Sequence, residues 1–175
     1  QAFINYLVDE RARRLKLNAY TGIPRKEIRS VESLEYGMQI SGNVAREKVC
    51  MVCERIQDTQ DERTALLKAN GVKAYASYPL LAEGGRVIGT LAFGTKSRET
   101  FSRADIALMK AVADQVAVAM VRQQSEQALR LSESRYRSLM ELSPNAIYIN
   151  RNNRIELLNP AAIDLFGAAS AERIL

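Results

Sequence analysis

The sequence predicts an α+β fold built on antiparallel hairpins. Residues 3–8 and 15–20 are β-prone segments separated by a short polar turn, which is the pattern of a hairpin. Residues 75–81 and 87–93 repeat this pattern around a Gly-Gly turn. A helical pattern without glycine or proline then covers residues 102–142. Hairpins and helices that follow one another without βαβ alternation are typical of α+β domains.

Shorter elements are expected between the two hairpins. Pro24 can open a short helix, and residues 37–48 have the pattern of a loop followed by another short helix. Residues 49–53 are β-prone, and residues 61–69 form a helical pattern that Asn70-Gly71 ends. We therefore expect short helices and one short strand in this segment.

The helix predicted over residues 102–142 contains the domain boundary. Ser102 has the chemistry of an N-cap, with Asp105 three residues later in a variant of the capping box. An apolar stripe at three- and four-residue spacing would pack on the sheet: Ile106, Met109, Ala113, Val116 and Met120. Its continuation is polar: Gln123, Gln127 and Arg130. Because the whole helix would be about 60 Å long, we predict a first domain over 1–121, a helical linker over 122–133 and a second domain from 134.

The last part of the chain has the pattern of a small second unit. Residues 146–149 and 155–158 are β-prone around a polar turn at 150–153. Asn159-Pro160 then opens a short helix that Gly167 ends. A two-stranded hairpin with one helix is marginal by itself, so we expect residues 134–175 to be an incomplete domain.

The composition excludes several kinds of site. Histidine is absent, which rules out within this chain a Ser-His-Asp or Cys-His pair, a haem held by a proximal histidine and a His-containing zinc site. The two cysteines alone cannot close a structural zinc site. Their low number fits a reducing, cytoplasmic setting. We predict no metal site, and the cofactor stays unknown.

The charge pattern favours neither nucleic acid nor a membrane as a partner. The net charge is +5, with basic residues spread along the chain. The densest cluster is Arg11, Arg13, Arg14 and Lys16. We interpret it as a solvated hairpin turn, with a phosphate-binding patch as the alternative. No apolar run reaches the length of a transmembrane helix, and the first residues lack signal-peptide features. Since the chain begins inside a predicted strand, we expect it to be part of a longer protein.

Cys50 and Cys53 have the CxxC spacing, which allows two interpretations. A redox pair or an iron–sulfur site would use both thiols. In a strand, however, residues three apart face opposite sides, with Cα atoms about 10 Å apart. That distance exceeds the ~7 Å limit for a disulfide. We predict two packed, reduced thiols without metal.

Residues 1–121 resemble a GAF domain. The resemblance rests on the order and spacing of short motifs: Arg14-Leu15-Lys16-Leu17 with Ala19 and Gly22, Gly42-Asn43-Val44-Ala45, Tyr78-Pro79-Leu80, Val87-Ile88-Gly89-Thr90-Leu91, and Phe101 with Asp105 before Val112-Ala113-Asp114-Gln115-Val116-Ala117. The usual first helix of the family is missing. The resemblance implies an antiparallel sheet with helices on both faces, and a pocket between the sheet and the segment that covers its outer face.

Residues 134–175 resemble the start of a PAS domain. The matching motifs are Ser134-Arg135-Tyr136-Arg137-Ser138-Leu139, Ser143-Pro144-Asn145-Ala146-Ile147, Asn159-Pro160-Ala161-Ala162 and Leu165-Phe166-Gly167. A GAF–PAS tandem is similar to the sensory part of bacterial sensor histidine kinases, as in two-component systems, and of cyclic-di-nucleotide signalling proteins. We therefore expect a sensory module that is not itself an enzyme, with a histidine kinase or diguanylate cyclase output domain beyond residue 175.

The resemblance leaves other functions open. One is a ligand-free structural dimerisation module. Another is the GAF branch of free methionine sulfoxide reductases, although Cys50 and Cys53 do not lie in its cysteine contexts. Bilin-binding members attach their pigment through a cysteine next to a histidine, a dipeptide that this chain lacks.

Six residues are candidates for the pocket of an unidentified small molecule: Asn5, Cys53, Tyr75, Ser77, Tyr78 and Thr90. Most are polar side chains within apolar strands, and such groups need a partner when buried. A ligand or water would provide one, and so would bonding to neighbouring strands. Tyr75 and Tyr78 lie on opposite strand faces, so at most one should line the pocket.

Lys96, Phe101 and Asp105 resemble part of the Asn-Lys…Phe…Asp-Glu signature of cyclic-nucleotide GAF domains. Thr95 and Ile106 replace its Asn and Glu. We therefore predict a structural ion pair instead, with Lys96 and Asp105 within about 4 Å of each other. This pair would tie a loop to the start of the long helix.

A second face of the long helix carries apolar residues at coiled-coil spacing: Leu108, Val112, Ala119, Leu129, Tyr136 and Met140. Polar residues interrupt the same seam: Gln115, Arg122, Glu126 and Glu133. We predict a weak parallel homodimer along this helix, with Val112, Ala119, Leu129 and Tyr136 at its interface. The alternative is an exposed helix with scattered apolar residues.

Overall fold

The computed structural model describes residues 2–152 and 154–167. Asn153 of the predicted turn, and residues 168–175 of the predicted second domain, lie outside the described residues. The chain divides into two compact units, Gln1–Val121 and Arg122–Leu175. Each unit has its own sheet.

The first unit is built on a sheet that has six strands within the described residues. They are β1 (Ala2–Asp9), β2 (Arg14–Thr21), β3 (Ser33–Glu35), β4 (Met51–Cys53), β5 (Ala74–Leu81) and β6 (Val87–Thr95). Their order across the sheet is β3-β2-β1-β6-β5-β4. Neighbouring strands are antiparallel throughout. The predicted α+β class and both predicted hairpins are confirmed, whereas the short strand β3 was not predicted.

The helices are α1 (Arg25–Ile28), α2 (Gln39–Glu47), α3 (Ala65–Ala69), α4 (Arg103–Leu142) and α5 (Pro160–Phe166). A 3₁₀ turn over Glu62–Thr64 leads into α3, and the Asp61 carboxylate caps this turn by accepting a bond from the backbone N–H of Arg63. The predicted short helices, and the helix stop at Asn70-Gly71, are confirmed.

The period-two alternation of the strands gives the sheet two different faces. On the front face, Ile4 and Tyr6 of β1 pack with Ile28 of α1 and Ala45 of α2. On the back face, Tyr78 of β5 is among the residues that pack with α4. Helices therefore cover both faces, as the resemblance implied.

The helix α4 begins at a reciprocal capping box. The backbone N–H of Asp105 donates to Ser102 Oγ at 3.1 Å, and the backbone N–H of Ser102 donates to Asp105 Oδ2 at 2.9 Å. The predicted stripe from Ile106 to Met120 packs on the back face. The predicted N-cap and the predicted sheet-facing stripe are both confirmed.

The second unit contains the hairpin of β7 (Tyr148–Arg151) and β8 (Arg154–Leu158), followed by α5. Asn159 is 2% exposed and joins three parts of this unit. Its Nδ2 donates to the carbonyl oxygens of Met140 and Asn145, and its Oδ1 accepts from the backbone N–H of Ile147 and of Ala162. Asn159 thereby caps α5, as expected from the Asn-Pro dipeptide.

We expect Gly89→Ala to lower the free energy of unfolding of the first unit by about 3 kcal/mol, because overpacking at a rigid contact cannot relax. A Cβ atom at this position would overlap the carbonyl oxygen of Tyr6 on the neighbouring strand. Gly94→Ala in the same strand is the matched control, since its Cβ would lie 3.4 Å from the Tyr75 ring, an ordinary contact. Urea unfolding followed by tyrosine fluorescence measures both. Equal effects of the two variants would contradict the prediction.

Candidate functional site

A cavity of about 290 Å³ lies on the front face of the sheet. We call it the front cavity. Its lining comes from four parts of the first unit. They are the beginning of β1, the segment that leads into α1 and continues past it, the helix α3 with the residues after it, and the adjoining ends of β5 and β6. Most of the lining is apolar: Ala2, Phe3, Ile4, Ile23, Ile28, Val31, Leu66, Leu67 and Val72. The polar side chains of the lining are Asn70, Tyr75, Lys96 and Ser97.

Of the six predicted pocket residues, only Tyr75 lines the front cavity in the part of the chain that the structure describes. Its hydroxyl lies 3.2 Å from Ser41 Oγ, which in turn lies 3.3 Å from Ser77 Oγ. Burial raises the pKa of Tyr75 to about 12, so the hydroxyl is protonated at neutral pH. Ser77 therefore supports the pocket tyrosine through Ser41 and does not line the cavity itself.

Asn5 and Tyr78 do not line the front cavity, which corrects their assignment as pocket residues. Both lie on the back face, where Asn5 is paired with Leu91 across the β1–β6 ladder and Tyr78 with Leu91 across the β5–β6 ladder. Asn5 Nδ2 donates to the Thr90 carbonyl oxygen at 3.1 Å, and Asn5 Oδ1 accepts from Asn18 at 2.7 Å. The Tyr78 hydroxyl donates to the Ile106 carbonyl oxygen at 3.2 Å. Neighbouring strands and α4 thus satisfy both groups.

Thr90 lies on the front face, opposite Tyr6, but outside the lining of the front cavity. It is fully buried, and its Oγ1 has no hydrogen-bond partner among the described residues. The assignment of Thr90 to the pocket is therefore also corrected.

The two cysteines are free and differ in exposure, with Cys50 exposed and Cys53 half-buried. Cys53 pairs with Tyr75 across β4 and β5, but it does not line the front cavity, so its assignment to the pocket is corrected. Burial raises the pKa of the Cys53 thiol, which disfavours the thiolate at neutral pH. Among the described residues, no group of three or more metal-binding side chains is close enough to hold an ion.

The predicted ion pair between Lys96 and Asp105 is wrong in its basic partner. Arg98 Nη1 lies 3.0 Å from Asp105 Oδ2, and no ion pair within 4.0 Å joins Asp105 to Lys96 in the part of the chain that the structure describes. The capping bonds from Ser102, together with Arg98, hold the pKa of Asp105 below its usual value. Lys96 instead lies at the front cavity.

A second cavity, of about 350 Å³, lies on the back face near the start of α4. We call it the back cavity. Phe3, Phe93, Phe101, Leu108 and Val112 supply much of its apolar lining. Arg98 and Asp105 form its charged edge.

Sequence reasoning missed most of the front cavity because it searched the strands for polar side chains. The lining is mainly apolar, and much of it comes from α1, α3 and the segments next to them. The apolar residues of these segments are visible in the sequence, but their presence does not distinguish a cavity wall from a packed core.

The fold and its front cavity define a class of small α+β domains with a ligand-sized space between a sheet and its covering helices. A family profile described as GAF domain matches residues 1–121. A profile described as PAS domain matches residues 134–175. The chain therefore belongs to the GAF domain family, and its later part is similar to a PAS domain. The sequence has no significant match among curated proteins.

Solved structures support the same fold. The GAF domain of a phosphoenolpyruvate-protein phosphotransferase from Acinetobacter is 20% identical, with a TM-score of 0.56 over 73% of this chain and 74% of that chain. A domain of a putative two-component sensor histidine kinase from Sinorhizobium meliloti is 21% identical, with a TM-score of 0.59 over 74% and 85%. A type II free methionine-R-sulfoxide reductase from Thermoplasma acidophilum is 16% identical, with a TM-score of 0.55 over 67% and 75%. These identities establish the fold alone.

We expect the stabilisation that Asp105 provides to depend on pH. Because its pKa is lowered in the folded state, the carboxylate contributes its full stabilisation above the unfolded pKa of about 3.9 and loses it as the pH falls through the folded value. The melting temperature of Asp105→Asn should therefore lie below that of the unmodified chain at pH 7, and the difference should shrink below about pH 4.

Two further variants test which basic residue is the partner. Arg98→Ala should lower the melting temperature at pH 7, whereas Lys96→Ala should leave it unchanged, because Asp105 contacts Arg98. An equal loss in both variants would restore Lys96 as a partner of Asp105.

Proposed function

We propose that this chain is a sensory module of a signal-transduction protein, in which the front cavity binds a small molecule and α4 passes the signal on through a dimer. GAF domains are commonly sensory or regulatory, and the chain belongs to this family. The observation that carries the proposal is the front cavity, which is lined by apolar side chains from several separate elements. Such a concave, mainly apolar space is the usual form of a small-molecule site.

The cysteines support the sensory function over the reductase alternative. Neither Cys50 nor Cys53 lines the front cavity within the described residues. The raised pKa of Cys53 also makes it a poor nucleophile, since the thiolate is the reactive form. A thiol-coupled assay for consumption of free methionine sulfoxide tests the alternative directly. Activity that is lost in Cys53→Ser would favour the reductase.

An exposed seam along α4 supports the dimer. Val112 is 38% exposed, Leu129 60% and Tyr136 50%, and Ala119 is also exposed. These four residues lie along one seam of the helix at coiled-coil spacing. An exposed seam with few apolar layers is suited to a weak interface that can adopt two packings of similar free energy. The helical linker over 122–133 would belong to this interface.

Among the described residues, every helix falls short of a membrane span in its length or in its apolar character.

We expect protein purified from cells to retain a small molecule that native mass spectrometry detects. Leu66→Trp should abolish retention, because the larger ring fills the front cavity that Leu66 lines. Leu108→Trp is the matched control, since Leu108 lines the back cavity and the same substitution there should leave retention intact. A purified protein without any bound molecule would favour the ligand-free dimerisation module.

We expect light scattering at high micromolar concentration to show a dimer. Leu129→Glu should raise the dissociation constant of this dimer at least tenfold, because the substitution buries a charge in the apolar seam. Leu139→Glu is the matched control. Leu139 is 74% exposed on the same helix, but its position ten residues further on turns it about 80° away from the Leu129 seam. A dimer that only Leu139→Glu weakens would place the interface on the other face, and a persistent monomer would contradict the dimer itself.

A further inference from the structure

We infer that the front cavity selects a small, mainly apolar anion of the monocarboxylate class, with Lys96 as the residue that binds its charged end. This inference rests on the proposed ligand-binding function and adds the chemistry of the ligand. It follows from three features of the lining: the size and apolarity of its wall, its single charge, and the hydrogen bonds that its neutral polar groups already make within the protein.

The wall of the front cavity requires an apolar ligand body. Ile4, Ile28 and Val31 belong to one buried cluster of the front face, and Val72 and Tyr75 belong to another. Leu66 and Leu67 of α3 pack against these clusters. A polar body would lose its hydration here without gaining hydrogen bonds. The volume of about 290 Å³ lies at the lower end of ligand pockets, so the body is a short aliphatic chain or a single ring.

The charge of the lining requires an anionic end. Lys96 is the only charged side chain in the lining described by the structure, and it carries one positive charge. The acidic side chains of Glu99, in the neighbouring loop, and of Asp105, in the first turn of α4, are paired with other residues. Glu99 Oε1 lies 2.7 Å from Lys73 Nζ, and Asp105 is held by Arg98. Within the described residues, Lys96 has no ion pair within 4.0 Å and no hydrogen bond from its Nζ.

The neutral polar groups of the lining already have partners within the protein. Asn70 Nδ2 donates to the Leu66 carbonyl oxygen at 2.8 Å. Ser97 Oγ lies 3.1 Å from Thr95 Oγ1, and the Tyr75 hydroxyl lies 3.2 Å from Ser41 Oγ. The Lys96 ammonium group is therefore the polar group of the lining that is available to recognise a ligand. Because Lys96 is exposed and Tyr75 is 5% exposed, the charged end of the ligand lies towards solvent and its apolar body lies inside.

The position of Lys96 predicts how strongly the front cavity prefers a carboxylate to the neutral amide of the same shape. A hydrogen bond to a charged group at a partly exposed site corresponds to about a tenfold change in affinity. A monocarboxylate should therefore bind about tenfold more tightly than its neutral amide of the same shape. The corresponding ammonium compound should bind more weakly still, because it meets a like charge.

The experiment uses the full chain, freed of retained molecules, and two ligand bodies in three charge forms each. The six-carbon series is hexanoate, hexanamide and hexylammonium, and the aromatic series is phenylacetate, phenylacetamide and phenethylammonium. Titration followed by NMR measures each dissociation constant. We expect the carboxylate of at least one series to bind about tenfold more tightly than its amide. Lys96→Met should abolish this difference, and Lys96→Arg should preserve it.

Lys110→Met is the matched control for the loss of a positive charge. Lys110 lies on the exposed side of α4, paired with Asp114 at 2.7 Å, and is not part of the cavity lining. This variant should bind the carboxylates as the unmodified chain does. A carboxylate preference that survives in Lys96→Met, or that disappears equally in Lys110→Met, would overturn the role of Lys96. Failure of both carboxylates to bind, or equal binding of the amides, would overturn the ligand class.

Native mass spectrometry separates this inference from the proposed function. A retained neutral or cationic molecule that Leu66→Trp releases would leave the sensory function in place and overturn the anion. A front cavity that is empty in protein from cells and binds none of the six probes would contradict both.

Discussion

The pairing of β1 with β6 is the interaction on which the first unit depends, because it joins the N-terminal hairpin to the hairpin of β5 and β6. Its register places Leu7 opposite Gly89 at one end and Ala2 opposite Gly94 at the other. Gly89 permits the close approach of the β1 backbone. A slip of one residue would exchange the front and back faces of the strand, and the wall of the front cavity would be lost with it.

Much of the fold could be predicted from the sequence because its signals are local. The β-prone segments on either side of short turns predicted both hairpins, and the apolar stripe from Ile106 to Met120 predicted which face of α4 packs on the sheet. The Ser102 and Asp105 pair predicted the helix start. The strand β3 escaped prediction because it has three residues and pairs only with β2, so its conformation depends on its neighbours more than on its own sequence.

The candidate site was less predictable because it depends on distances between remote residues. Polarity within a strand selected Tyr75, which lines the front cavity, but it also selected Asn5 and Tyr78, which bond to backbone carbonyl groups. Two basic residues in the same loop compete for Asp105, and sequence spacing does not decide between them. In the structure, Arg98 pairs with Asp105. The side chain of arginine is longer than that of lysine and forked, which suits a carboxylate. Lys96 is thereby available for a different role.

Ala2, Phe3 and Gly94 line both the front and the back cavity, so the sheet between the two spaces is a single strand layer thick. A substitution at one of these three residues changes the volumes of the front and back cavities together, so its effect on one cavity cannot be adjusted independently of the other. Ile23 and Leu66 border the front cavity alone. Redesign of ligand specificity in this domain should therefore begin from the helical side of the front cavity, where a substitution alters one space and leaves the other unchanged.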